Sequence, residues 1–152
     1  MKRLVYVNNI HDGIDDLCGI KYIWVDYQPN LFVWPLISER MMTAINDNLT
    51  GEEGIVWMKA NVLSQQGAKF YYIPRFEKVL DVLDMQKTIF VKGTDHIVKP
   101  YFSLEKIKNL SVFHKPGESW EIPHTLYINE AIRDTLISNK FTGLSFENIK
   151  VI

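Results

Sequence analysis

Apolar positions along the chain fall into short β-like runs and a few helical stripes. Lys21 to Val25, Leu31 to Ile37, Ile55 to Leu63 and Phe70 to Ile73 are rich in β-branched and aromatic residues, which suit a pleated, half-buried surface, and they predict strands. Met1 to Val7 predicts a first strand, and Gln65-Gln66-Gly67-Ala68 a turn between the runs that end at Leu63 and begin at Phe70. Two hairpins are expected where Gly93-Thr94-Asp95 separates Thr88–Lys92 from His96–Val98, and where Lys115-Pro116-Gly117-Glu118 separates Val112–His114 from Trp120–Ile122. Met41, Met42, Ile45 and Leu49 recur at intervals of three and four behind Ser38, a good N-cap, and predict a helix. Ser103 can cap a short helix carrying Leu104, Ile107 and Lys108 towards Leu110. A third helix runs from Asn129 to Lys140, with Asn129 as cap and Glu130 in the first turn, where the helix dipole favours an anion; Ile132, Leu136 and Ile137 face inward. Phe76 to Met85 has two readings. Phe76, Val79, Leu80 and Leu83 make a helical face, alternation through residues 79–84 suits a strand, and the periodicity leans to the helix.

These elements predict an α+β fold, a single domain over residues 1–152 with a mixed or antiparallel sheet, β-hairpins and about three to four short helices. At 152 residues the chain removes roughly 70% of its unfolded surface from water, enough for a core without metal or disulfide staples. No Pro/Ser/Gly-rich linker interrupts it. Segments 31–63 and 125–152 echo one another. Leu36-Ile37-Ser38-Glu39 leads into a helix, then Leu49-Thr50-Gly51 and a strand from Ile55. Tyr127-Ile128-Asn129-Glu130 leads into another, then Phe141-Thr142-Gly143 and Leu144-Ser145-Phe146. Each Thr-Gly step is expected to end its helix with glycine near the left-handed C′ position. The two spacings differ by one residue, and both convergence of ordinary strand-helix-strand units and an old duplication account for the likeness.

Charge changes the functional picture. Seventeen basic against 18 acidic residues, net -1, leave no excess to hold a polyphosphate backbone, so nucleic acid is not an expected partner. The apolar run at the N-terminus stops at Asn8-Asn9, short of a secretory core of about 7 to 15 residues, and nothing approaches the roughly 20 apolar residues of a membrane span. With one cysteine, Cys18, no internal disulfide can form, and a cytoplasmic location with no membrane partner is expected. Between Asp12 and Glu53 eight acids face only Lys21 and Arg40, a local balance of -6, whereas Lys99 to Lys115 carries four lysines against Glu105. An acidic face would suit a protein that plugs a cationic cleft; the alternative reading is that these charges solvate opposite ends of the domain.

Catalytic spacing is missing from the sequence. His11, His96, His114 and His124 show no H-x-x-x-H or H-E-x-x-H pattern, Asp12, Asp15 and Asp16 beside Gly13 lack the D-x-D-x-D-G register, and no phosphate-cradling or G-x-S-x-G motif is present. No cofactor, metal or catalytic residue is assigned, and the expectation is a protein that is not an enzyme. The alternative is a small hydrolase or ligand-binding enzyme using Asp81, Asp84 and a histidine brought near by the fold. Trp24, Trp34 and Trp57 lie in apolar runs and are expected in the core. Trp120, beyond a Pro-Gly turn between Glu118 and Glu121, is the candidate exposed anchor. The candidate partner-binding set is Trp120, Glu118, Glu121, Asp12, Asp15, Asp16, Glu52 and Glu53.

Leu126-Tyr127-Ile128-Asn129-Glu130, continuing through Leu136 to Phe141-Thr142-Gly143-Leu144-Ser145-Phe146, resembles the C-terminal signature of immunity proteins from bacterial polymorphic toxin systems: an apolar strand, Ser-Glu or a variant, a helix, then Thr-Gly-Leu-x-Phe. Asn129 stands where serine is more usual, and both are good N-caps. Pro35-Leu36-Ile37-Ser38-Glu39-Arg40 resembles the matching earlier element, and Tyr71-Tyr72 with Asp81-Val82-Leu83-Asp84 the central strand and its Asp-x-Leu-Asp step. The resemblance spans about Phe32 to Ile152 and leaves the residues before Leu31 unassigned. It implies an intracellular immunity protein that binds and occludes a cognate toxin or effector. A homo-oligomer built by edge-strand pairing is a further reading.

Overall fold

The computed structural model describes residues 2–6, 14–15, 19–20, 24–28, 30–64 and 67–152. In chain order the strands are β1 (Lys2–Tyr6), β2 (Ile14–Asp15), β3 (Gly19–Ile20), β4 (Tyr27–Gln28), β5 (Leu36–Ile37), β6 (Ile55–Ser64), β7 (Gly67–Phe76), β8 (Ile89–Phe90), β9 (Ile97–Lys99), β10 (Val112–Phe113), β11 (Leu126–Ile128) and β12 (Leu144–Asn148). The helices are α1 (Glu39–Asn46), α2 (Leu104–Ile107) and α3 (Glu130–Ser138). This is an α+β fold, and every pairing between these strands is antiparallel. No helix among the described residues is long and apolar enough to cross a membrane.

The two echoing segments build the same topology. One sheet has the order β10-β11-β1-β12 and the other β4-β5-β7-β6, so in each a strand-helix-strand unit straddles one central strand and gains a short neighbour on its leading edge. Helices α1 and α3, which make the two crossings, pack against each other. Both are capped as expected: Ser38 Oγ accepts from the Met41 N–H and Asn129 Oδ1 from the Ile132 N–H. The one-residue difference between the echoes lies in the helices, eight residues in α1 and nine in α3. Gly51 and Gly143 are left-handed, but each lies five residues past its helix, so neither is the C′ residue. Lys140 takes that position after α3 at φ 53°, with Lys140 N–H bonded to Ile137 C=O and Phe141 N–H to Leu136 C=O, a Schellman ending.

One apolar cluster joins both halves: Tyr27, Ile37, Met41, Ile45 and Phe76 from one, Val112, Leu126, Ile128, Ile132 and Leu136 from the other. Strand alternation sends the neighbours of these residues to the opposite faces. Phe113 and Tyr127 join Val82, Leu83, Phe102 and Ile107 under the 77–110 segment, while Leu36, Tyr71, Ile73 and Ile122 form a third cluster beneath Trp24, Trp34, Met58, Ala60 and Val62.

Several expectations are corrected. Leu31 to Ile37 is strand only at Leu36–Ile37, because Asn30 folds residues 30–34 into a turn. Phe76 to Met85 is neither helix nor continuous strand. Val82 and Leu83, adjacent in sequence, enter the same cluster, and the backbone is tied sideways by Ser103 N–H to Val82 C=O and Asp84 N–H to Tyr101 C=O. Val112–Phe113 pairs with β11, not with Trp120–Ile122, where Ser119–Glu121 is a 3-10 turn. The hydroxyl of Ser103 makes no cap bond, and Ile137 is exposed because it lies off the Ile132–Leu136 stripe. Of the strand expected at Lys21 to Val25, residues 21–23 lie outside the described residues and Trp24–Val25 is irregular; Gln65 and Gln66 of the expected turn likewise lie outside them.

Candidate binding surface

An aromatic ladder stands on the outer face of the β4-β5-β7-β6 sheet. Phe32 stacks on Trp34 with ring centroids 5.0 Å apart, and Trp34 meets Trp120 at 6.1 Å. Trp120 is 75% exposed, as the sequence predicted, and Leu31, Phe32 and Val33 are also exposed. Trp34, expected in the core, is half-buried and links the exposed rings. Beside Trp120 an open depression of about 540 Å³ is lined by Met58, Arg75, Glu121 and Ile122.

Two turns hold the ladder. Asn30 Oδ1 accepts from the Phe32 and Trp34 N–H groups at 3.0 and 3.3 Å, and its Nδ2 donates to the Trp34 carbonyl at 2.6 Å, so one side chain replaces the strand partners this apolar run would need. The second turn closes with Glu121 N–H to Glu118 C=O and Ile122 N–H to Ser119 C=O. Ile122 anchors it in the core, Glu118 is clasped 3.3 Å from His114 Nδ1, and Glu121 pairs with Arg75 at 3.5 Å. Val33, Trp120 and Glu121 all take positive φ near 60°. For a β-branched valine and a bulky tryptophan such a backbone is strained and persists only where surrounding contacts hold it, a feature concentrated at functional surfaces.

The predicted acids divide. Glu118 is buried against His114, not free on the surface, and Glu121 is half-exposed beside Trp120. Glu52 is exposed. Glu53 is 0% exposed: it accepts from the N–H groups of Thr50, Gly51 and Ser111 and from the Thr50 hydroxyl, and is an internal tie, not a docking charge. Burial alone would raise its pKa, yet these donors hold it below the usual carboxylate range. Asp12 and Asp16 lie outside the described residues, and Asp15 is placed only as part of β2. Asp81 faces Lys106 at 2.7 Å, while Asp84 Oδ1 accepts from the Gln86 and Lys87 N–H groups in a turn; neither of these contacts includes a histidine. Among the described residues no group of three or more His, Cys, Asp or Glu side chains is placed to hold a metal ion.

Sequence reasoning missed Asp26. Its buried carboxylate accepts from Ser38 Oγ at 2.6 Å, from Arg40 Nε and Nη2 at 2.8 and 2.7 Å, and from the Thr142 N–H and hydroxyl at 2.9 and 3.0 Å. Burial pushes its pKa up, but the Arg40, Ser38 and Thr142 hydrogen bonds outweigh that and bring it down to about 2. Asp26 thereby ties the cap of α1 to the Thr-Gly step after α3. Glu53 does the converse, joining the Thr-Gly step after α1 to Ser111, whose hydroxyl accepts from Asn129, the cap of α3. With Asp26 and Glu53 turned inward, the acidic stretch contributes less surface charge than its sequence suggests. No protein-family model, curated protein or solved structure matched the chain.

Proposed function

We propose that the protein is an immunity protein that neutralises a cognate toxin by holding it against the Phe32–Trp34–Trp120 ladder. The observation that carries the reading is this row of exposed rings, fixed on two strained turns over a buried base. Tryptophan at the centre of a pre-ordered apolar patch is the usual anchor of a protein interface, because a large area leaves water at little cost in side-chain entropy. Arg75 and Glu121 at its margin supply the polar rim. The word "immunity" rests on the resemblance of the Leu126–Phe146 signature. Binding on a rigid surface acts by occlusion, with no bond made or broken in this chain and no cofactor.

Co-expression with the toxin encoded beside its gene tests the reading. Survival should require this protein, and Trp120→Ala should weaken toxin capture by about 2 kcal/mol, or about thirtyfold, while the fold stays intact. A toxin equally lethal with and without the protein would sink it.

A further inference from the structure

Independently of the toxin reading, β6 is, among the described residues, an edge unlike the others. Of the edge strands in the two larger sheets, β4 and β10 have two residues each and β12 five with Glu147 among them, whereas β6 runs ten residues, Ile55–Ser64, in unbroken register with β7 from Ile55↔Phe76 to Ser64↔Gly67. It has no proline, glycine or bulge, and Lys59 is its single charge. Native edges are normally shortened, bulged or charged to prevent pairing. The tip of the β6/β7 hairpin also leaves apolar side chains uncovered, with Leu63 75% and Phe70 54% exposed.

We propose that β6 pairs antiparallel with β6 of a second copy of this chain about a two-fold axis at Ala60, joining the two β4-β5-β7-β6 sheets into one. The strand is self-complementary in that register. Trp57 lies opposite Leu63, Met58 opposite Val62, Lys59 opposite Asn61, and Ala60 opposite itself. Odd positions share the face of Trp57, which packs on the α1–α3 core, and even positions share the face of Met58, Ala60 and Val62. Each overhanging Leu63 therefore meets Trp57 of the second copy, an aromatic–aliphatic cross-strand pair, and the outer apolar row continues across the join. Neighbouring registers are poorer: a two-fold at Lys59 sets lysine against lysine, and one at Asn61 runs Trp57 past the strand end, opposite residue 65. Lysine, ordinarily a guard against pairing, here meets only an amide.

Sedimentation equilibrium of the full chain from about 1 to about 100 µM tests this. A monomer–dimer equilibrium is expected. Asn61→Lys, at an exposed position, places lysine opposite Lys59 twice per dimer and should raise the dissociation constant about tenfold; Asn61→Glu should lower it, and Lys59→Glu with Asn61→Lys should restore association. Far-UV circular dichroism checks that each variant stays folded. Wild type and Asn61→Glu both monomeric throughout, or association indifferent to these charges, would overturn the pairing, the latter placing contact elsewhere.

Discussion

Asp26 shows how one side chain can knit two distant parts of a sequence. Its five hydrogen bonds to side-chain and backbone donors are satisfied only as a carboxylate, so Asp26→Asn introduces amide hydrogens facing donors. The variant should lose about 2 kcal/mol of stability at pH 7, the scale of hydrogen bonds to a charged group. Because the folded group titrates near 2, below the ordinary 3.8, its contribution is present above about pH 4 and is lost as the pH falls through about 2. The gap between wild type and variant should therefore narrow on acidification, as urea midpoints at pH 7 and pH 3 will read. The two Thr-Gly glycines make a second test. A methyl on Gly143 would lie 2.6 Å from the Tyr27 carbonyl oxygen and 2.7 Å from Val25 Cγ2, whereas one on Gly51 meets nothing within 4 Å, and both residues are left-handed. Gly51→Ala should cost about 1 kcal/mol and Gly143→Ala about 2 kcal/mol more, measured by thermal unfolding.

At the scale of elements, local signals succeeded where the chain answers to itself and failed where a distant segment competes. The caps of α1 and α3 are set by neighbours three residues away, and the long β6/β7 hairpin by strands that follow one another in the chain. Trp120–Ile122 has a strand-like composition, but the positive φ of Trp120 and Glu121 ends any ladder, and β10 takes β11 in its place. Pro74 is tolerated inside β7 because β5 pairs there only at Ile37↔Tyr72, leaving residue 74 effectively at an edge. The α3 ending carries its own prediction. Lys140 occupies a left-handed position that glycine adopts without strain, so Lys140→Gly should stabilise the protein by about 1 kcal/mol, visible as a higher Tm.

For the whole molecule, the two echoing units share one apolar cluster and are cross-tied by Asp26 and Glu53. Neither sheet can lose its helix without exposing core from the other. Chemical denaturation should therefore give one transition, with tryptophan fluorescence, which reports chiefly on the sheet bearing Trp24, Trp34 and Trp57, coinciding with far-UV circular dichroism; separated midpoints would show that the halves unfold independently. The same architecture leaves the outer face of one sheet to the aromatic ladder and its β6 edge open to a partner strand.

Periodicity, caps and turn residues were enough to read an α+β chain, the places of α1 and α3 and the internal echo, because each depends on contacts within a few residues; the Pro-Gly turn before Trp120 marked it as the candidate exposed anchor. The paired topology, the partner of β10, the inward fate of Glu53 and the tie from Asp26 to Thr142 depend on segments up to 116 residues apart, and no local pattern encodes them. Phe32 and Trp34 belong with these: the run from Leu31 to Ile37 reads as a strand, but Asn30 folds it into a turn and the approach of Trp120 from the other half makes it a surface. Burial is decided by what the rest of the chain brings alongside, and so the same carboxylate or ring can be core or interface until the fold closes.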